Sequence, residues 1–274
     1  MQRRRRSSGS SGIGIRLLIG LAFAAFSVIS YLGSQEYNPV TGDNQYISMT
    51  PNQEIALGLQ SAPQMIEEFG GVLQDREAQD ALDRIGNRLV NSSIARDTPW
   101  RFEFTILDDR NTVNAFALPG GPTFITTALL AQLDNEDQVA GVMAHEIVHV
   151  LARHSAERIA QSELTNGLVG AVGVASGEAS AAQTAQMVAQ FVTMSYGREA
   201  ELESDTIGVC LMIAAGYDPN EMKEVMRVLE AASGGSRQPE FASTHPSPDN
   251  RIQKIDEAIQ NASQNCPRVS VAPR

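Results

Sequence analysis

The sequence predicts a mainly α-helical protein with one small antiparallel β-sheet, an α+β fold. Three observations carry that expectation. Apolar residues recur three and four apart through most of the chain from Thr50 onwards, the period of helices that share a core. Only around Trp100 to Thr126 does the period fall to two, with Phe102, Phe104 and Ile106 alternating with Glu103 and Thr105. Two otherwise apolar helices also carry polar groups: His145, Glu146 and His149 in one, and Glu199, Glu201, Glu203 and Asp205 in the other.

The 274 residues suffice for one large domain or two small ones, and 42% hydrophobic residues suffice for a core. A net charge of −11 argues against nucleic acid as a partner, because no broad basic surface is available to follow phosphates. Two cysteines, Cys210 and Cys266, lack the spacing of a zinc knuckle or a redox C-x-x-C pair. Whether they form a disulfide is left open.

Residues 1–12 form a basic segment with Arg3, Arg4, Arg5 and Arg6. Residues 13–33 follow as an apolar stretch, uncharged from Leu17 to Leu32, close to the ~20 residues that cross a bilayer. No small-x-small cleavage site is clear near Ser30 to Ser34, so an uncleaved single-pass anchor is favoured over a removed signal and a soluble periplasmic protein. The arginines should stay cytoplasmic, which places the remainder outside the cytoplasm. Residues 34–49 read as a linker, residues 50–262 as the folded domain, and residues 263–274 as a loose tail.

Within that domain Thr50, Pro51 and Gln53 open a helix as N-cap, first turn and capping-box partner. A second runs from about Asp75 to Val90. Strands follow at Phe102 to Ile106, Asn114 to Leu118 and Thr123 to Thr126, with Pro119-Gly120-Gly121-Pro122 as the glycine-rich turn between the last two. A short helix, Thr127 to Leu133, precedes a long one expected from Glu136 to Gln161. The Gly/Ala/Ser-rich stretch Leu164 to Ser180 is a flap or an interhelical hairpin, too short and interrupted to span a membrane. Another long helix is expected from Ala185 to Ala215, then one after Pro219, a loop at Ser233 to Ser236, and a last helix with Ser247 as N-cap and Pro248 at its first position.

Residues four apart share a helix face, so His145 and His149 can present imidazole nitrogens to one metal ion. Glu146 lies about 100° further round, beside that ion, where it can take a proton from water. Two imidazoles and a carboxylate among Val139, Val142, Met143, Ile147, Val148 and Leu151 are costly to bury unpaired, and zinc is the simplest partner. A catalytic zinc needs a third protein ligand. His154, about 140° round from His149, is poorly placed for it and reads as a surface residue or one behind a ligand. The candidates are His245 or a carboxylate, for which the acid-rich helix from Arg198 to Asp205 is the obvious source, Glu201 being one such ligand. Asp205, one turn on, could then hold the outer N–H of a ligand histidine. Glu199 and Glu203 fit a solvated face.

These residues resemble the M48 family of zinc metallopeptidases. The matching motifs are H-E-x-x-H at His145, Glu146 and His149, R-x-x-E-x-x-x-D at Arg198, Glu201 and Asp205, and T-H-P-x-x-x-x-R at His245 and Arg251. Asn114-Ala115-Phe116-Ala117 ahead of Pro119-Gly120-Gly121 extends the likeness. The resemblance implies a zincin-like metallopeptidase fold with a second ligand helix. It implies one zinc ion on His145, His149 and Glu201, with Asp205 behind them, and Glu146 as general base for peptide hydrolysis. His245 and Arg251 are the candidates for steadying the oxyanion. In BepA-like members the histidine matching His245 instead closes the open zinc position and keeps the enzyme latent. The strand Asn114 to Ala117 would line the substrate. Val148 stands where many relatives have glycine, and only a single anchor is found where some members span the membrane several times. The resemblance implies a membrane-anchored metalloendopeptidase acting on protein or peptide substrates in envelope quality control or processing. The competing readings are a metal-bound chaperone or assembly factor that seldom cuts, and a tethered structural domain without metal.

Overall fold

A computed structural model describes residues 10–176, 196–233, 240–245 and 250–266. The chain divides into two compact units, one built from Met1–Asn38, Asp43–Ser48 and Ala156–Met187, the other from Pro39–Gly42, Met49–Ser155 and Val188–Arg274.

In the first unit α1 (Ser10–Gly33) is one uninterrupted helix. Its stretch Gly14–Gly33 is long and apolar enough to cross a membrane. The segment expected as a linker contains a hairpin: β1 (Gln35–Tyr37) pairs antiparallel with β2 (Asn44–Tyr46), and the Tyr46 ring stacks on Tyr31 at 4.5 Å. α6 (His154–Ser176) supplies the rest of what is described there. The glycine-rich stretch is therefore helical as far as Ser176; its remainder, Gly177 to Ser180, lies outside the described residues.

The second unit begins with α2 (Pro51–Glu68), capped as expected by the reciprocal Thr50–Gln53 box, and α3 (Arg76–Ser92), capped by Asp75. A 3₁₀ turn (Ile94–Asp97) leads to the sheet of β3 (Glu103–Leu107), β4 (Ala115–Ala117) and β5 (Pro122–Thr126). Its order is β3-β5-β4. The sheet is mixed, not antiparallel as the sequence suggested: β4 runs antiparallel to β5, but β3 runs parallel to it, Glu103 opposite Pro122. The reason is burial. Every residue of β5 is buried, so its backbone groups need partners on both sides, and β5 takes the centre. The hairpin turn, with Gly120 and Gly121 at φ 80° and 135°, lies so close to Ile55 and Arg101 that neither glycine leaves room for a Cβ.

After α4 (Thr127–Leu130) come α5 (Glu136–Leu151) and α7 (Arg198–Ala215), then α8 (Glu221–Ser233), α9 (Glu240–Thr244), α10 (Arg251–Gln260) and α11 (Ala262–Asn265). Two helices are shorter than their sequence pattern suggests. α5 stops at Leu151 because Arg153 adopts φ 56°, which breaks the helix before α6 begins at His154. α7 begins only at Arg198, after the extended N-cap Gly197; the expected start from Ala185 falls outside the described residues. So do Ser247, Pro248 and most of the Ser233–Ser236 loop. α5 and α7 are packed closely at Gly208, where a Cβ would lie 3.5 Å from the backbone nitrogen of His145. A Cys210–Cys266 disulfide joins α7 to the end of α11.

Candidate metal centre

α5 is held at its N-terminus by Asn135, whose side chain accepts from the Gln138 N–H at 2.9 Å. Its last two turns are buried on all sides, and within them His145, Glu146 and His149 are 3%, 0% and 2% exposed. The two histidine Nε2 atoms face each other at 3.0 Å. α7 brings the Glu201 carboxylate to 3.5 Å from His145 Nε2 and 3.6 Å from His149 Nε2. His245, at the end of α9, places Nδ1 3.1 Å from Glu201 and 3.4 Å from His145 Nε2. One ligand atom from each of His145, His149, Glu201 and His245 therefore falls within 4.8 Å of the others. Nitrogen and carboxylate donors converging in a buried site suit zinc. Both Glu146 oxygens and His245 Nε2 are buried without a hydrogen-bond partner, 3.6 Å apart at their closest. Such polar atoms are retained at a cost unless a ligand or a reacting group meets them.

Behind these donors lies a row of carboxylates on α7. Asp205 Oδ1 sits 3.0 Å from His145 Nδ1. Arg251, on α10 and 3% exposed, donates from Nε and Nη2 to Asp205, both at 2.7 Å, and its Nη1 lies 3.2 Å from Glu201. Its donors are directed at these carboxylates. His154 is not on the surface: it is 4% exposed, with Nδ1 2.9 Å from His149 Nδ1 and Nε2 2.9 Å from Glu203. Glu203 thus belongs with the site rather than with a solvated face, whereas Arg198 and Glu199 are exposed. α7 thereby backs His145 directly through Asp205 and His149 indirectly through Glu203 and His154. The Tyr196 ring stacks on His149 at 3.9 Å, its hydroxyl 3.0 Å from Ser155 Oγ, and Phe241 stacks on His245 at 4.3 Å. The sequence offered no periodic signal for Tyr196 or Phe241. For His154 the signal was its five-residue offset from His149, which becomes useful only once the helix breaks at Arg153.

The electrostatics suit a cation. Burial opposes charge on His145, but Asp205 and Glu201 outweigh it and hold its pKa at about 9. Burial, reinforced by His145, pushes His149 well below the ordinary histidine value, leaving its ring nitrogens neutral. Burial would raise Glu201, yet His245 and His145 hold it well below the usual carboxylate range. Burial raises Glu146 against the pull of His245 and His145. A metal ion held by these donors would require a deprotonated His145 nitrogen, so its binding would release a proton.

Asn114 and β4 lie at the edge of the sheet, with Asn114 and Ala115 buried and Phe116 half-buried. Thr126 N donates to the Asn114 carbonyl and Leu118 N to Pro122.

The geometry agrees with a family match: the model of peptidase family M48 covers residues 76–259. The chain belongs to peptidase family M48. It is 32% identical over 245 residues to the mitochondrial metalloendopeptidase OMA1 of Schizosaccharomyces pombe, covering 88% of this chain and 71% of that protein. It is 32% identical over 250 residues to the beta-barrel assembly-enhancing protease of Escherichia coli, covering 88% of this chain and 50% of that protein. A bovine mitochondrial OMA1 is 28% identical over 278 residues, with 93% and 53% covered. The chain thus spans about half the length of the last two. This M48 chain is a metalloendopeptidase whose cofactor is zinc.

Proposed function

We propose that the chain is a membrane-anchored zinc endopeptidase acting on proteins outside the cytoplasm, in envelope quality control or processing. The observation that carries the reading is the convergence of His145, His149, Glu201 and His245 beside the unpartnered Glu146 carboxylate. His145, His149 and Glu201 are the ligands, and Asp205, fixed by Arg251, orients His145. The chemistry a zinc ion supplies when held there is Lewis acidity, which polarises the scissile carbonyl and acidifies water. Glu146 takes the proton of the attacking water and passes it to the leaving amine, a role its burial-raised pKa suits. Asn114 and Leu118 bond inward to β5, so by antiparallel alternation the N–H groups of Ala115 and Ala117 point to the open edge, where an extended substrate can add as a strand.

His245 carries a second assignment. Its Nδ1 stands where a fourth donor would, and a site with four protein ligands is closed. We assign it as a latch that must withdraw before substrate enters, after which its Nε2 is free to donate to the oxyanion. A gain of activity in His245→Ala supports the latch; a loss leaves only the oxyanion role. The orientation, with the basic N-terminus cytoplasmic, is supported by Arg3 to Arg6 and by a disulfide suited to an oxidising compartment. The deciding experiment is casein cleavage by wild type and Glu146→Gln, with and without chelator. Equal cleavage by the variant would overturn the assignment.

A further inference from the structure

From Gly14 to Leu32 only Gly20, Ala24, Ser27 and Tyr31 of α1 are shielded; every other residue there is exposed. Their spacing of four, three and four marks one helix face. α6 has a matching stripe: Ala160 and Ala171 are buried and Leu164 and Gly167 half-buried, at the same spacing. The stripes meet. Ala160, Glu163 and Leu164 enclose a small cavity with Phe26, Ser27, Ser30, Tyr31 and Ser34. One turn further along α6, a Cβ built on Gly167 would lie 2.8 Å from Ser27 Cβ. As α6 advances its partners on α1 recede in number, so the two helices are antiparallel.

Ser27 precedes Gly33 by six residues, ~9 Å along a helix, and Ala171 reaches about 6 Å further. We propose that the second half of α6 enters the bilayer beside α1 and that lipid acyl chains are what cover its outer face. This rests on the reading of α1 as a membrane anchor. Given that anchor, a helix touching it at Ser27 cannot lie in water, because that contact is well inside the ~30 Å hydrocarbon layer. The composition agrees. No charged residue occurs from Leu164 to Ser176, and Leu168 is an exposed apolar side chain. Small residues at the seam allow the close approach that drives helix pairing in lipid. Two hydroxyls here are satisfied within their own helices: Ser27 donates to the Phe23 carbonyl at 3.0 Å and Thr165 to the Gln161 carbonyl at 2.9 Å. The length of the uncharged stretch, too short to span a bilayer by itself, is enough for a helix that enters and does not cross.

The test uses the full chain reconstituted into vesicles of phosphatidylcholine and phosphatidylglycerol. Because both native cysteines are in the disulfide, an environment-sensitive fluorophore can be placed on single thiols introduced as Leu168→Cys, Phe23→Cys and Arg76→Cys. The expected result is a blue-shifted Leu168→Cys probe, quenched by nitroxide-bearing lipid as strongly as Phe23→Cys and shielded from iodide. Arg76→Cys should show the reverse. If Leu168→Cys follows Arg76→Cys while Phe23→Cys stays lipid-quenched, the anchor stands and the α6 inference falls. If Phe23→Cys is itself iodide-quenched, the anchor reading falls and takes the inference with it.

Discussion

At the scale of single residues, the most informative one is His154. Helical geometry makes it a poor ligand, and the four donors that converge are His145, His149, Glu201 and His245. It holds the far nitrogen of His149 and is itself held by Glu203, each at 2.9 Å. Partners behind a metal-bound histidine fix its tautomer and ring orientation, and their loss costs about 10–100-fold in metal affinity or activity. His154→Ala should weaken zinc binding by that order in competition with a chromogenic chelator, with His154→Gln recovering part of it. Unchanged affinity would limit His154 to packing. Glu146→Gln differs: it should bind zinc as wild type does and lose at least about 100-fold in cleavage. The two variants separate holding the metal from using it.

At the scale of elements, two junctions decide the site. The Arg153 break turns α5 into α6 and brings His154 back onto His149. It is secured by Arg153 donating to Glu54 and to the Met49 carbonyl at 2.7 Å. The Gly208 seam lets α7 approach α5 until Glu201 and Asp205 reach the histidines. β4 is short and stands at the edge of its sheet, where strand addition by substrate is the proposed role. Ala117→Pro deletes one outward N–H without removing a bond to β5, so kcat/KM for an extended peptide should drop up to about tenfold, with zinc content unchanged. No change in kcat/KM would argue against strand addition.

At the scale of the whole molecule, one disulfide supplements the hydrophobic core. The Cys210–Cys266 bond closes a loop with a sequence separation of 56 and ties the ligand helix to the C-terminal helices. Replacing both cysteines by serine should lower stability by about 2–4 kcal/mol, read as a lower thermal midpoint. Chelation should lower the midpoint as well, since zinc binds only the folded arrangement. If the midpoint of the double-serine variant matches wild type, the disulfide does not constrain the fold.

The long apolar helix Gly14–Gly33, the Thr50 cap, the H-E-x-x-H pair and the acid-rich helix were legible in the sequence, because each depends on periodicity or on a residue type in a local context. His145, His149, Glu201 and Asp205 share faces through spacing alone. Strand direction was not legible: a parallel β3–β5 pair depends on which strand is buried on both sides, a property of the assembled core. The ends of α5 and α7 were hidden too, since the apolar pattern runs on through the left-handed turn at Arg153. The sequence by itself determined which groups could bind a metal and move a proton. Only the tertiary structure decided that His245 stands among the donors, that Arg251 serves Asp205 and Glu201, and that Glu203 acts through His154. These pairings join residues 44 to 100 positions apart or across a broken helix, and no local periodicity encodes them.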